Sequence, residues 1–396
     1  MMLLQTSKTI CKPNSRPESG PTAVKKKKEK KPMVDPYSIV ALSNVVHTIK
    51  KREDAIENTK RICDFMDPAV MVAATDGAPV KLVVLPEMAI QGMLPDFKAG
   101  NKEAHEAFAM TIPGPETDIL GQKARQLNTY IAGELYLVKD EDFPGHLFNV
   151  AFIIDPNGEV IYKRYKSTSD AYEGGALGTT NPHDIWDEFV EKRGNGSVLD
   201  AFFPVARTEI GNIGYIICHE GAYPETSRGL AMNGAEIIIR GTLIEPQVGA
   251  GMWDLQNRAH AMFNQVVVVA PNLGPQRNDD GSLFDLFGGQ SMIVDHKGNV
   301  LVKQAGVSGG DSFVSSVIDL EALRRSRSAN GVTNWFKDLR TEMYAGIYEQ
   351  PIYEKNQYLT NLPAEGWLAR EEKRRAGNID KLIERGLLVP PSGTSR

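Results

Sequence analysis

Between Gly211 and Arg240 the chain reads as strand, cysteine, turn, helix and strand in immediate succession. Ile213 to Ile217 is a short apolar run of the kind that forms a buried strand. Cys218 ends it, and Gly221 and Pro224 turn the chain. A helix is expected from about Thr226 to Asn233, closed by Gly234 as a C-cap. Ala235 to Ile239 is the next strand. Such a unit builds an α/β fold, and open α/β sheets carry reactive groups at the C-terminal ends of their strands. Cys218 stands there. A free cysteine is also a small hydrophobe that cores accept readily, but His219 and Glu220 follow at once, and a core strand end has no need of them. A thiol with pKa ~8.5 is only a few per cent ionised at neutral pH, so a nucleophilic role needs a base and a cation nearby.

The same pattern recurs earlier. Lys81 to Leu85 is a buried strand, and Pro86-Glu87-Met88 follows it. A glutamate there suits general-base work, although such a residue is more often a cap or the partner of a salt bridge. Asn149 to Ile154 and Glu159 to Tyr162 flank the turn Asp155-Pro156-Asn157-Gly158, a strong hairpin signal. The run Tyr162 to Lys166 after it has the composition of a solvated edge. Lys166 nevertheless lies just past a strand end, as Glu87 and Cys218 do. A second turn, Asp295 to Leu301, repeats the first 140 residues later, with Asp, Gly and Val at matching positions. The echo points to two similar halves.

Elsewhere the sequence sets bounds. A length of 396 residues and a net charge of −5 suit one large core and give no reason to expect nucleic acid. Three cysteines, Cys11, Cys63 and Cys218, make no disulfide framework, which points to a reducing cytoplasm. No apolar run is long enough to span a bilayer, and no residues have metal-ligand spacing. Residues 1–36, with Lys25 to Lys31 at their centre, read as a Lys-rich disordered arm. A helix is expected from Arg52 to Asp67 with Cys63 on its core face, and another from Glu116 to Asn128. Residues 171–200 read as an insertion acting as a lid or pocket wall. A helix from Gly251 to Gln265 is expected to pack Trp253, Ala259, Met262 and Phe263. Residues 346–396 form an extension whose aromatics suit either a partner subunit or the chain's own domain.

Taken together, Pro86-Glu87-Met88-Ala89-Ile90-Gln91-Gly92, Lys166 after the hairpin, and Cys218 with Tyr223-Pro224-Glu225, Arg228, Gly234-Ala235-Glu236 and Arg240 resemble the nitrilase superfamily of carbon–nitrogen hydrolases, in its aliphatic amidase and formamidase branch. The likeness covers about residues 37–345. It implies a four-layer αββα sandwich, usually dimerised or built into larger homo-oligomers, with no cofactor. It implies Glu87 as general base, Lys166 as stabiliser of the tetrahedral intermediate and Cys218 as a nucleophile that becomes a thioester. Glu173 is the candidate for a second, assisting glutamate. The backbone N–H of His219 would complete the oxyanion site, and Met88, Asp170 and Tyr223 would lie around the substrate. Lys166 would also lower the thiol pKa by its charge.

The substrate so implied is a small non-peptide amide, split into acid and ammonia. A nitrile or an N-carbamoyl compound is the alternative within the class, and a catalytically silent homologue used as a binding module is the alternative outside it. The sequence departs from the branch at Met88, where an aromatic residue is usual, and at Ser167-Thr168-Ser169-Asp170, where a Trp in a Pro-rich turn is usual. The segment from Lys166 to Cys218 is also longer than in small amidases. All three departures touch the expected acyl pocket.

Overall fold

The computed structural model describes residues 33–94, 102–168, 179–359 and 367–392. Two six-stranded sheets dominate it. The first runs in the order Ser312–Ile318, Tyr37–Ser43, Val80–Val84, Tyr130–Lys139, Leu147–Ile154, Val160–Tyr165. The second runs Ala206–Thr208, Gly211–Ile217, Ile237–Gly241, Val267–Ala270, Met292–Val294, Val300–Lys303. Each has the same plan: an antiparallel edge strand, three parallel strands, then an antiparallel hairpin. The two halves read from the turns are therefore present as repeated sheet topology. In both turns the aspartate accepts the same backbone bonds, Asp155 from Asn157 and Glu159, Asp295 from Lys297 and Asn299. Gly158 and Gly298 take φ of 83° and 84°, which only glycine adopts without strain.

Continuous β-branched runs such as Ile237-Ile238-Ile239 and Val267-Val268-Val269 make the central strands, because both of their faces are covered. Ile39, Leu82, Val84 and Ala132 of the first sheet meet Ile213, Tyr215, Ile237 and Val269 of the second between the sheets. Val40, Val83 and Ile131 pack outward against Ile62, Met66 and Leu120 of the helices Asp54–Ala73 and Pro115–Leu127. Ile216, Ile238 and Val268 pack outward against Leu230, Trp253 and Ala261 of the helices Pro224–Met232 and Met252–Asn264. This is the αββα sandwich. A small sheet of Leu283–Asp285, Gln276–Arg277 and Val46–His47 stands beside it.

Three expectations are corrected. The first helix does not stop before Pro68 but runs on to Ala73, because Ala69 and Ala73 are buried and their packing outweighs the missing N–H. The helix Met252–Asn264 buries Trp253, Asn257, His260, Ala261 and Asn264, and leaves Met262 and Phe263 exposed. The run Tyr162 to Lys166 is no solvated edge. Arg164, Tyr165 and Lys166 are buried, since the chain at Trp186–Gly194 and Val198–Phe202 folds over that side of the sheet. Those helices insert Phe189 and Phe202 beside Phe143 and Tyr165 in the core, and residues 171–178 of the expected insertion lie outside the described residues. Cys63 is a core residue, as its helical face requires.

The C-terminal segment returns to its own chain. Tyr358 is buried and its N–H donates to the Asp184 carbonyl. Arg374 pairs with Asp184 and lies over the Tyr353 ring. Ile347 and Tyr348 remain exposed.

Candidate active site

Three strand ends meet in one place. Glu87 follows the strand Val80–Val84, Lys166 follows Val160–Tyr165, and Cys218 follows Gly211–Ile217. The first two come from one sheet and the third from the other. Glu87 and Lys166 are 2% and 5% exposed, and Cys218 is half-buried. Lys166 Nζ lies 2.9 Å from Glu87 Oε1, which also accepts from Asn149 Nδ2 at 3.1 Å. Glu87 Oε2 is buried with no hydrogen-bond partner among the described residues. Asn149 also accepts the Lys166 backbone N–H, at 2.9 Å, so one residue holds both members of the pair. Sequence reasoning missed Asn149; its one signal is an amide inside the otherwise apolar strand Leu147–Ile154.

Cys218 has φ of +46°, and Met88, next to Glu87, has φ of +54°. Side-chain-bearing residues in this region are strained, and they persist where the surroundings over-determine them. The surroundings are identifiable here. Met88 N–H donates to the buried Glu134 carboxylate at 2.8 Å. Cys218 opens the tight turn Cys218–Ala222, and Glu220 within that turn takes the Ile217 N–H at 2.9 Å. Glu220 also receives both arms of Arg164, at 2.5 and 2.9 Å, and the backbone and side chain of Ser167 at 2.8 and 2.7 Å. Glu220 beside the cysteine thus has a structural task. It ties the turn that carries Cys218 to the strand that leads into Lys166.

The thiol points into a cavity of about 410 Å³. Glu87, Lys166, His219 and Arg240 share its polar side. Met88, Met93, Tyr136, Leu243, Ile244 and Met252 make most of the rest, with Asn149, Glu245 and Gln256 between them. Of the residues expected around the substrate, Met88 and His219 line this space. Tyr223 does not. It is 40% exposed and sets its ring edge against His219, because it stands at the N-cap of the helix Pro224–Met232, which directs it outward. Asp170 and Glu173 lie outside the described residues. Asn272 braces the cavity wall by bonding the N–H and carbonyl of Ile244. Among the described residues no group of three His, Cys, Asp or Glu side chains could hold a metal ion.

The family model described as carbon-nitrogen hydrolase matches residues 41–326. The chain is a carbon–nitrogen hydrolase. Similar curated proteins are formamidases, from Bacillus cereus (strain Q1), 28% identical over 69% of this chain and 73% of the relative, and from Bacillus thuringiensis (strain Al Hakam), 28% identical over 77% and 82%. They put this carbon–nitrogen hydrolase in the amidase and formamidase branch of the nitrilase superfamily. Solved structures share its fold. Saccharomyces cerevisiae Nit3, a nitrilase superfamily member, superposes with a TM-score of 0.58 at 20% identity, covering 76% of this chain and 96% of Nit3. A mutant of the amidase from Nesterenkonia sp. AN1, which carries a covalent acetamide moiety on its active-site cysteine, superposes with a TM-score of 0.54 at 17% identity over 78% and 96%. The hydrolase acts on carbon–nitrogen bonds other than peptide bonds, and amide hydrolysis is its broad activity.

Proposed function

We propose that this hydrolase splits primary amides with an extended apolar acyl group into carboxylic acid and ammonia, through a thioester on Cys218. The meeting of Glu87, Lys166 and Cys218 at three strand ends around one cavity carries this reading. Cys218 Sγ attacks the amide carbonyl carbon, and the oxygen takes the negative charge. Lys166 Nζ and the His219 N–H meet that charge, as preorganised donors must. Glu87 takes the thiol proton and passes it to the nitrogen as the C–N bond breaks and ammonia leaves. Water then adds to the thioester carbonyl, giving one proton to Glu87, which returns it to the sulfur as the C–S bond breaks and frees the acid and the Cys218 thiol. The bare Oε2 of Glu87 is the atom suited to carry the proton in both halves, since Oε1 is engaged by Lys166 and Asn149.

The cavity supports the acyl assignment. Its volume of about 410 Å³ falls within the ~300–1,000 Å³ of sites that take larger ligands. A formyl group would leave most of it empty. Methionines at 88, 93 and 252 give it adaptable apolar walls. We further propose that the enzyme works in a reducing cytoplasm, where Cys63 and Cys218 stay free, and as a homo-oligomer, a reading supported by the exposed Ile347 and Tyr348. The deciding experiment is ammonia release from a panel of amides of one to eight carbons, the matching nitriles and N-carbamoyl compounds. Cys218→Ala runs alongside as control. Turnover by Cys218→Ala at the wild-type rate would sink the thioester, and release from nitriles alone would sink the amide.

A further inference from the structure

Arg240 lies in the strand Ile237–Gly241, under the turn that carries Cys218. It is 3% exposed. Its Nε donates to the Cys218 carbonyl at 3.4 Å, Nη1 to Asn257 Oδ1 at 3.2 Å and Nη2 to Gln256 Oε1 at 2.7 Å. The Trp253 ring covers one face of the guanidinium, with the centroid 4.9 Å away. A Cβ on Gly221 would fall 2.1 Å from Nε, so glycine in the turn makes room for this one group. Every one of these partners is neutral. Two other buried cations near the thiol each have a carboxylate, Arg164 with Glu220 and Lys166 with Glu87. Among the described residues Arg240 pairs with none.

A buried cation without a counter-ion is costly unless an anion forms beside it. Burial pushes the Arg240 pKa down to about 10, and the charges that oppose this are those of Cys218 and Glu87. Glu87 is already matched by Lys166 at 2.9 Å, so that pair presents Cys218 with little net charge. We propose that Arg240 is the counter-ion of the Cys218 thiolate, and that it supplies the field assigned above to Lys166. The inference rests on the reading of Cys218 as nucleophile. Ionisation of the free enzyme releases the thiol proton to solvent and leaves two matched pairs, Glu87 with Lys166 and the thiolate with Arg240.

Among the described residues the other charged and titratable groups around the thiol do not supply that field. Glu220 is held by Arg164. His260, which bonds the Gly221 carbonyl from the helix behind, is neutral above about pH 4. Glu245, which also lines the cavity, has the wrong sign to favour a thiolate, and His219 is half-exposed. Arg240 is thus a positioning residue acting through Cys218. It serves deacylation as well, because a thiol of lower pKa leaves more readily when the C–S bond breaks.

The test is the pH dependence of Cys218 alkylation by iodoacetamide, with the labelled peptide identified by mass spectrometry. It is run on wild type, Arg240→Lys, Arg240→Met and the double variant Glu87→Gln/Lys166→Met. Wild type should titrate about one unit or more below the free-thiol value of ~8.5. Arg240→Met should raise the midpoint by about a unit, roughly tenfold less thiolate at neutral pH, while Arg240→Lys stays near wild type. The double variant, which removes a matched pair, should also stay near wild type. A folded Arg240→Met with the wild-type midpoint overturns the proposal, as does an upward shift of a unit or more in the double variant. The second outcome decides the matter even if Arg240→Met does not fold. Label on Cys63 or Cys11 in place of Cys218 would overturn the nucleophile itself. Label on Cys218 with an unmoved midpoint overturns only the role of Arg240.

Discussion

Arg164 and Glu220 form a two-armed ion pair with no solvent exposure, at 2.5 and 2.9 Å, joining the strand before Lys166 to the turn after Cys218. The pair crosses from one sheet to the other, so it sets the separation of two groups that must act on one carbonyl. Burial alone pushes the Glu220 carboxyl up, but Arg164, Ser167 and the Ile217 N–H outweigh it and hold its pKa below the ordinary value. A depressed carboxylate contributes stability above its unfolded pKa and loses it as pH falls through the folded one.

Glu220→Gln should therefore destabilise the protein by about 3–5 kcal/mol, because it leaves Arg164 buried without its anion. It should also flatten the loss of stability in acid, below the usual carboxylate range. Urea unfolding of both proteins from pH 7 down to pH 3 measures this. Equal stability at pH 7 would show that the pair is not the strut between the sheets.

Burial of the Glu87–Lys166 pair changes what a single substitution tests. Glu87→Gln keeps the bonds to Lys166 and Asn149 and removes the proton acceptor. Its kcat should fall about 10²–10⁴-fold with the fold retained. Lys166→Met strands Glu87 in a buried site and should lose both turnover and about 3–5 kcal/mol of stability. Single-turnover rates and melting curves separate the two effects. A wild-type kcat in a folded Glu87→Gln would remove the general-base role.

Glu87, Lys166 and Cys218 were legible in the sequence because each follows a strand, two of them continuous apolar runs, and polar residues at such places stand out against their neighbours. The hairpin echo was legible because Asp and Gly are required by the turn itself. Arg164 with Glu220, and Arg240 with Gly221, were not, since what makes them meaningful is a meeting across separate strands that no local pattern encodes. Asn149 was hidden for the same reason. The helix at Met252 was found but its buried face was misread. Apolarity pointed to Met262 and Phe263, whereas Asn257, His260 and Asn264 occupy the buried stripe, Asn257 bonded to Arg240 and the other two to Ser227.

His260 ties that stripe to the active-site turn, bonding Ser227 Oγ and the Gly221 carbonyl at 2.8 Å each. Burial, and then the charge of Arg240, press its pKa down to about 4 from 6.5, against the pull of the Gly221 carbonyl. The unfolded chain therefore binds this proton first as pH falls, and stability is lost between about pH 6.5 and 4, on the order of 3 kcal/mol. Above pH 6.5 the residue is neutral in both states and contributes no pH dependence. His260→Gln should lower stability at pH 7 and show a shallower decline in that window. An unchanged slope of melting temperature against pH would mean that His260 is protonated in the folded protein.

The cavity wall makes the acyl chain the variable to test last. Met252 is half-buried and lines the space beside Gln256 and Arg240, so a larger side chain there can occupy volume without entering the core. In wild type, kcat/KM should rise from formamide to hexanamide, because each added methylene that finds apolar wall contributes about 1 kcal/mol or more. Met252→Trp should lower kcat/KM for hexanamide about 10–100-fold while acetamide stays within about threefold, since the short acyl group never reaches the filled volume. The comparison is internal to each variant and so is insensitive to a general loss of active enzyme. A wild-type preference for formamide over hexanamide would refute the extended-acyl assignment and leave the Glu87, Lys166 and Cys218 roles standing. Equal losses on both amides in Met252→Trp would mean that position 252 faces the reacting centre and not the acyl chain.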